Sequence, residues 1–164
     1  LILLAQRGEH YPLSRSVLLG STAEAVVRKA GKPVLVTPAT FVEIESMAVA
    51  FDGSPPAERA LKIAAELSDK THWPLTILIV TDQAKLSADL SAKAESTLED
   101  YLIDRDTIVL GGKEEKEILH FIDEGAVELM LMGTHGHSRF KELLLGSTTS
   151  HVVRKSRIPV LLTR

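Results

Sequence analysis

Leu18-Leu19-Gly20-Ser21-Thr22, Val26-Val27-Arg28-Lys29 and Pro33-Val34-Leu35, closed by Thr37, return 126 positions later as Leu144-Leu145-Gly146-Ser147-Thr148, Val152-Val153-Arg154-Lys155, Pro159-Val160-Leu161 and Thr163. Thirteen of the twenty positions from 18 to 37 are identical at this one offset, without a gap, so the chain carries a duplicated unit. In each copy an apolar strand ends the block. The second copy is preceded by a whole unit beginning near residue 46, the first by only some 17 residues. The expected organisation is therefore the C-terminal part of a first domain at 1–38, a linker at 39–45 and a complete domain at 46–164. A tail of strand, helix and strand cannot bury a core by itself. The sequence also starts without methionine, in the apolar run Leu1-Ile2-Leu3-Leu4-Ala5. Both points lead to the expectation that it belongs to a longer tandem chain.

Within the complete unit, apolar periodicity sets the elements. Met47 to Phe51 reads as a strand stopped by Asp52-Gly53-Ser54-Pro55-Pro56, a turn and helix start. A helix over about 56–69 puts Ala57, Ala60, Leu61, Ala64, Ala65 and Leu67 on its apolar side. Leu75 to Val80, apolar but for Thr76, predicts a strand buried on both faces. Lys85 to Tyr101 is helical by propensity. A strand at Thr107–Leu110, a helix at Glu114–Asp123, a strand at Leu129–Met132, a helix at Ser147–Lys155 and a last strand at Val160–Thr163 follow. Strands alternating with helices at these lengths need crossover connections, hence a doubly wound α/β fold with a parallel sheet. Ligands in such sheets lie beyond the carboxyl ends of the strands, where the winding reverses.

Composition excludes much. The 164 residues are 45% hydrophobic and 25% charged, ordinary values for a globular chain. A formal charge of −3, with no block of like charges, argues against nucleic-acid binding. With no cysteine there is no disulfide, thiolate metal site or cysteine nucleophile, which fits a reducing, cytoplasmic setting. No apolar run approaches the ~20 residues of a membrane span.

The loop after the fourth strand runs Gly133-Thr134-His135-Gly136, then nine residues from His137 to Leu145, then Gly146-Ser147-Thr148. Two glycines three apart permit positive φ and close backbone approach, and the following helix start offers free N–H groups to an anion. That describes a phosphate cradle; it equally describes a turn followed by a Ser or Thr helix cap. Asp52 alone reads as a cap in an Asp-Gly-Ser-Pro turn. His135, His137 and His151, with Glu142, lack a specific metal spacing. Arg139 and Lys141 either meet phosphates or face solvent, and His72 and Trp73 are read as packing at a helix–strand junction.

The pattern Gly-x2-Gly-x9-Gly-Ser, joined to Val49-Ala50-Phe51-Asp52-Gly53-Ser54 and a Pro-Val-Leu ending, resembles the universal stress protein family over 46–164, and 1–38 resembles the last third of a second such domain. The resemblance implies a five-stranded parallel sheet of order 3-2-1-4-5, like that of the adenine nucleotide alpha hydrolases, and ATP, often with a divalent metal such as Mg or Mn, held by the glycine loop. It implies that Gly133, Gly136, Gly146, Ser147 and Thr148 contact ribose and phosphates, and that Asp52 hydrogen-bonds the ribose or adenine side. Val80 corresponds to the position whose backbone recognises adenine, Ala50 and Phe51 line the same pocket, and Met132 is an apolar wall. It also implies pairing of last strands, between two chains as a homodimer or between tandem units, with Val34 to Thr37 the natural mate of Val160 to Thr163.

In the first copy, aligned without gaps, Arg7 stands at Gly133 and His10 at Gly136, which predicts no nucleotide there, although a shifted Gly8 would partly restore the turn. No catalytic residues can be assembled from these motifs. The resemblance implies a nucleotide-dependent regulator or sensor in stress response; a slow ATPase or phosphotransfer enzyme with Asp52 holding a metal, and an interaction module without nucleotide, are the alternatives.

Overall fold

The computed structural model describes residues 1–6, 25–27, 29–136 and 145–164. Its strands are β1 (Ile2–Ala5), β2 (Val34–Thr37), β3 (Met47–Ala50), β4 (Leu75–Val80), β5 (Arg105–Leu110), β6 (Leu129–Gly133) and β7 (Val160–Thr163). The helices between them are α1 (Pro55–Thr71), α2 (Ala84–Thr97), α3 (Glu114–Asp123) and α4 (Ser147–Lys155). All seven strands join one sheet in the order β1-β2-β7-β6-β3-β4-β5.

From β3 onward the neighbours pair in parallel, and counted from β3 they follow the order 3-2-1-4-5. The sheet does not stop at five parallel strands, however. β2 adds to the far side of β7 antiparallel, with Val34 opposite Leu162 and Val36 opposite Val160, and β1 then adds parallel to β2. The expectation of a five-stranded parallel sheet is thus corrected to a seven-stranded mixed one. The reason is the bare edge that β7 would otherwise present. Val34–Thr37 covers it within the chain, and every residue of β7 is buried.

The pleat sorts the apolar residues into two cores. On one face Val34, Val36, Ala48, Leu78, Met130, Met132, Val160 and Leu162 pack with α3, α4 and Val27. On the other, Met47, Val49, Ile77, Ile79, Leu129, Leu131 and Leu161 pack with α1 and α2. The small residues Ala57, Ala60, Ala64 and Ala65 let α1 lie close on the sheet, and all are buried. That helix ends at His72, whose left-handed φ of 61° returns its N–H to the Ser68 carbonyl at 2.7 Å. Trp73 then packs half-buried at the junction, as expected.

Several boundaries shift from expectation, two of them around the connection from α2 to β5. Helix α2 ends at Thr97, short of Tyr101, and β5 starts at Arg105, ahead of Thr107. The pairing of Arg105 with Leu75 sets that start, so partner register overrides the polar character of Arg105-Asp106.

The duplicated blocks can be compared in register. Thr37 and Thr163 keep the offset of the repeat, but β1 does not. Val34 stands opposite Ile2 where Val160 stands opposite Met130, and Gln6 N–H bonds the Thr37 carbonyl (2.8 Å) as Thr134 N–H bonds that of Thr163 (2.7 Å). Gln6 therefore matches Thr134 and Ala5 matches Gly133, two residues away from the gapless alignment. Counted along the chain from there, Gly8 corresponds to Gly136. Residues 7–10 themselves lie outside the described residues.

Candidate functional site

The carboxyl ends of β3, β4 and β6 meet at one edge of the sheet. Extending the register from Ala50 opposite Leu78 and Val49 opposite Leu131 sets Val80 level with Asp52, and Met132 level with Ala50. Ala50, Val80 and Met132 belong to the core on the α3–α4 side, where they form one apolar wall. Phe51 departs from this group. Its side chain, 3% exposed, points into the opposite core beneath α1 and α2, so only its backbone reaches the edge.

Beyond Phe51 the chain turns sharply. Gly53 has φ +75°, a conformation that favours glycine, and a Cβ there would press on Leu90 Cδ2 at 2.7 Å. Ser54, fully buried, caps α1 by accepting a bond from Ala57 N–H, with prolines in the first helical turn. The cap is thus Ser54 and not Asp52. Asp52 Oδ1 accepts from the Ser54 backbone N–H (3.0 Å) and hydroxyl (2.6 Å), which fixes its carboxylate at the strand end. From α2, Lys93 donates to the Gly53 carbonyl (2.7 Å) and pairs with Glu58. Ser54→Ala removes the cap and one Asp52 donor; the expected loss is about 1–2 kcal/mol, measured by urea unfolding, and an unchanged midpoint would refute this role.

The glycine loop closes on the same spot. A Cβ on Gly136 would lie 2.7 Å from Asp52 Oδ2, so this glycine is folded against the carboxylate. A Cβ on Gly133 would meet Pro56 Cβ at 2.8 Å and Ala57 N at 3.0 Å. Gly146 N–H bonds the Thr134 carbonyl (2.7 Å), bringing the two ends of the loop together, and Thr149 Oγ1 donates to the Gly133 carbonyl (2.8 Å). None of these three glycines has positive φ, whereas Gly53 does. What they supply is space for close approach. Helix α4 begins at Ser147 with Gly146 as its cap residue and no side-chain cap, so its first turn carries backbone N–H groups that have no partner within the helix.

Asp52 and Gly136 are thus in contact, Gly133 and Gly146 are tied into the same loop, and Ala50, Val80 and Met132 stand at the neighbouring strand ends. Three residues given no role in the sequence analysis make bonds around these strand ends. Thr134 ties the loop to β7, Thr163 Oγ1 donates to the Pro56 carbonyl (2.6 Å), and Asp82 Oδ1 accepts from Gly112 N–H (3.0 Å) at the end of β4. Thr163 alone left a signal, in its identity with Thr37 across the repeat.

Among the described residues no three His, Asp or Glu side chains gather to hold a metal. His135 Nδ1 lies 3.0 Å from Thr134 Oγ1, and His151 is half-buried on α4. His137, Arg139, Lys141 and Glu142 lie outside the described residues. No helix among the described residues is long and apolar enough to cross a membrane.

Comparison with known proteins supplies the family. Residues 43–164 match the model of the universal stress protein family. The chain is 37% identical over 165 residues to a universal stress protein of Synechocystis sp., a match covering 99% of this chain and 57% of that protein. Among solved structures it resembles a universal stress protein from Archaeoglobus fulgidus, with a TM-score of 0.74, 30% identity, and coverage of 89% of this chain and 54% of the other. The chain thus spans little more than half the length of these two relatives. A second Archaeoglobus fulgidus universal stress protein, in complex with dAMP, shares the fold at a TM-score of 0.60 and 21% identity, covering 76% of this chain and all of that one.

Proposed function

The chain belongs to the universal stress protein family, and on that premise we propose that residues 46–164 bind an adenine nucleotide, ATP being the expected ligand, and act as a nucleotide-dependent regulator or sensor in stress response. One observation carries the reading. Gly136 is folded so closely on the Asp52 carboxylate that a Cβ would collide with it, in a loop whose two ends are joined by the Gly146 N–H to Thr134 carbonyl bond, just ahead of a helix start without a side-chain cap. The dAMP complex of a structural relative supports the same ligand class.

In this reading the N–H groups of Gly136, Ser147 and Thr148 and the two hydroxyls receive phosphates and ribose. Asp52 accepts from the ribose or adenine side, the Val80 backbone reads adenine, and Ala50, Phe51 (through its backbone) and Met132 bound the pocket. The residues fit such a group: Gly136 leaves the Asp52 carboxylate uncrowded by a side chain, and Ala50, Val80 and Met132 offer apolar surface at the adjoining strand ends. A divalent metal, Mg or Mn, would neutralise phosphate charge and draw most of its ligands from the nucleotide, since the described residues gather no set of their own.

Residues 1–38 are read as the end of a first unit and 39–45 as a linker, supported by the repeat and by the shared threonine register of β2 and β7. The pairing through the last strand is then one between units of a single chain, and a homodimer through β7 would have to displace β2.

Isothermal titration with ATP and Mg²⁺ tests the reading: saturable binding is expected, and none would overturn it. In the same preparation, phosphate release abolished by Asp52→Asn would replace the regulator with the enzyme reading.

A further inference from the structure

The carboxylate presented by the candidate site is held from beneath. Asp52 is exposed, whereas Gly53 and Ser54 behind it are buried. The peptide group that joins Gly53 to Ser54 is trans, so its C=O and N–H point in opposite directions within one rigid plane. Both ends are bonded. Lys93 Nζ donates to the Gly53 carbonyl (2.7 Å), and the Ser54 N–H at the other end donates to Asp52 Oδ1 (3.0 Å). An ammonium on α2 is thus linked to the carboxylate by a single peptide group.

Two neighbours keep the ammonium in place. Glu58, in the first turn of α1, pairs with it, and Leu90, one turn earlier in α2, lies directly over Gly53, where a Cβ would meet its Cδ2 at 2.7 Å. Leu90 and Ala94 are the buried residues of α2, so the turn that carries Lys93 is the part of that helix seated on the protein. Gly53 itself does not fix the plane: with φ +75° and no side chain, it tolerates more than one orientation of the peptide that follows. Taking the donor away leaves the buried Gly53 carbonyl without this partner, which costs more than the bond itself, and rotation of the plane to relieve that cost swings the Ser54 N–H away from Asp52. A charged donor at the oxygen also polarises the N–H at the far end and strengthens its bond to the carboxylate.

We propose that Lys93 is a positioning residue: through the Gly53–Ser54 peptide it sets the direction in which Asp52 offers Oδ2, the oxygen that faces Gly136, to the site. The hold on the carboxylate stands on this geometry alone, while its effect on a ligand rests on the nucleotide reading. Helix α2, which none of the sequence motifs includes, thereby acts on the site.

The test uses the whole chain and Lys93→Met, which keeps the apolar stem of a half-exposed side chain and removes the donor. Without nucleotide, the Ser54 amide proton is expected to move upfield in the NMR spectrum and to exchange faster with solvent, because its bond to Asp52 weakens. Calorimetric titration of the same sample with ATP and Mg²⁺ is expected to show affinity lower by about tenfold, the scale of a hydrogen bond to a charged group. A Ser54 amide unmoved by the substitution would overturn the proposal, even with ATP affinity lost, since Lys93 would then act on the ligand and not through Asp52. A shifted amide with the parent's ATP affinity would overturn it as well, because the carboxylate would move without the site noticing. The two readings fail separately: a parent that binds no ATP, with a Ser54 amide that answers to Lys93, removes the nucleotide reading and leaves the hold on Asp52 in place.

Discussion

Gly136→Val is expected to lower ATP affinity by about 100-fold or more, or roughly 3 kcal/mol, while moving the thermal midpoint by no more than about 2 °C. The reason is local. A Cβ at this position falls 2.7 Å from Asp52 Oδ2, so the carboxylate or the loop must give way, and the position of either relative to α4 is what the ligand reads. Little of the fold leans on the site. Gly136 is exposed, its φ is not in the left-handed region, and no core residue surrounds it. Titration calorimetry and a circular dichroism melt on the same sample check both halves. Unchanged affinity would count against the cradle; a large drop in midpoint would mean that the glycine serves the fold.

Gly133→Val, three residues earlier in the same motif, is expected to do the opposite kind of damage. Its added atom meets Pro56 Cβ at 2.8 Å, Ala57 N at 3.0 Å and the Pro56 carbonyl carbon at 3.1 Å. These are backbone and ring atoms at the start of α1, fixed by the Ser54 cap and by the bond from Thr163 Oγ1 to the Pro56 carbonyl. No side chain can swing aside, so α1 has to lift from β6. Overpacking of that kind costs about 3 kcal/mol, near 10 °C in midpoint for a chain of this size. A melt indistinguishable from the parent would show that α1 is not seated on Gly133. Two glycines that look alike in sequence thus separate into one that admits a helix and one that lies at the proposed ligand site.

Much of this was legible beforehand. Strand and helix order followed from apolar spacing, because a doubly buried strand such as Leu75–Val80 and an alanine-striped helix such as α1 leave strong periodic signals. The gathering of Asp52 and the glycine loop at one sheet edge followed from the rule that parallel strands bring their carboxyl ends together. What was not legible depended on register and space. The two-residue displacement of β1 falls before Leu18, where the repeat carries no identical block to fix the alignment. The face on which Phe51 lands is set by the pleat, which a short apolar run does not reveal. The separate duties of Gly133 and Gly136 are set by which neighbour a Cβ would strike, and composition does not encode a neighbour.

The antiparallel pairing of β2 with β7 also bears on how the chain reaches its native state. Val34 must find Leu162 across nearly the whole length of the sequence, whereas every other partner of β3 to β7 lies within the span from 46 onward. Closing so long a loop is entropically late work. The parallel sheet of β3 to β7 is then the natural folding nucleus, with β1 and β2 docking afterwards. During that interval β7 is a bare edge, the moment at which a growing chain is most exposed to pairing with the wrong neighbour.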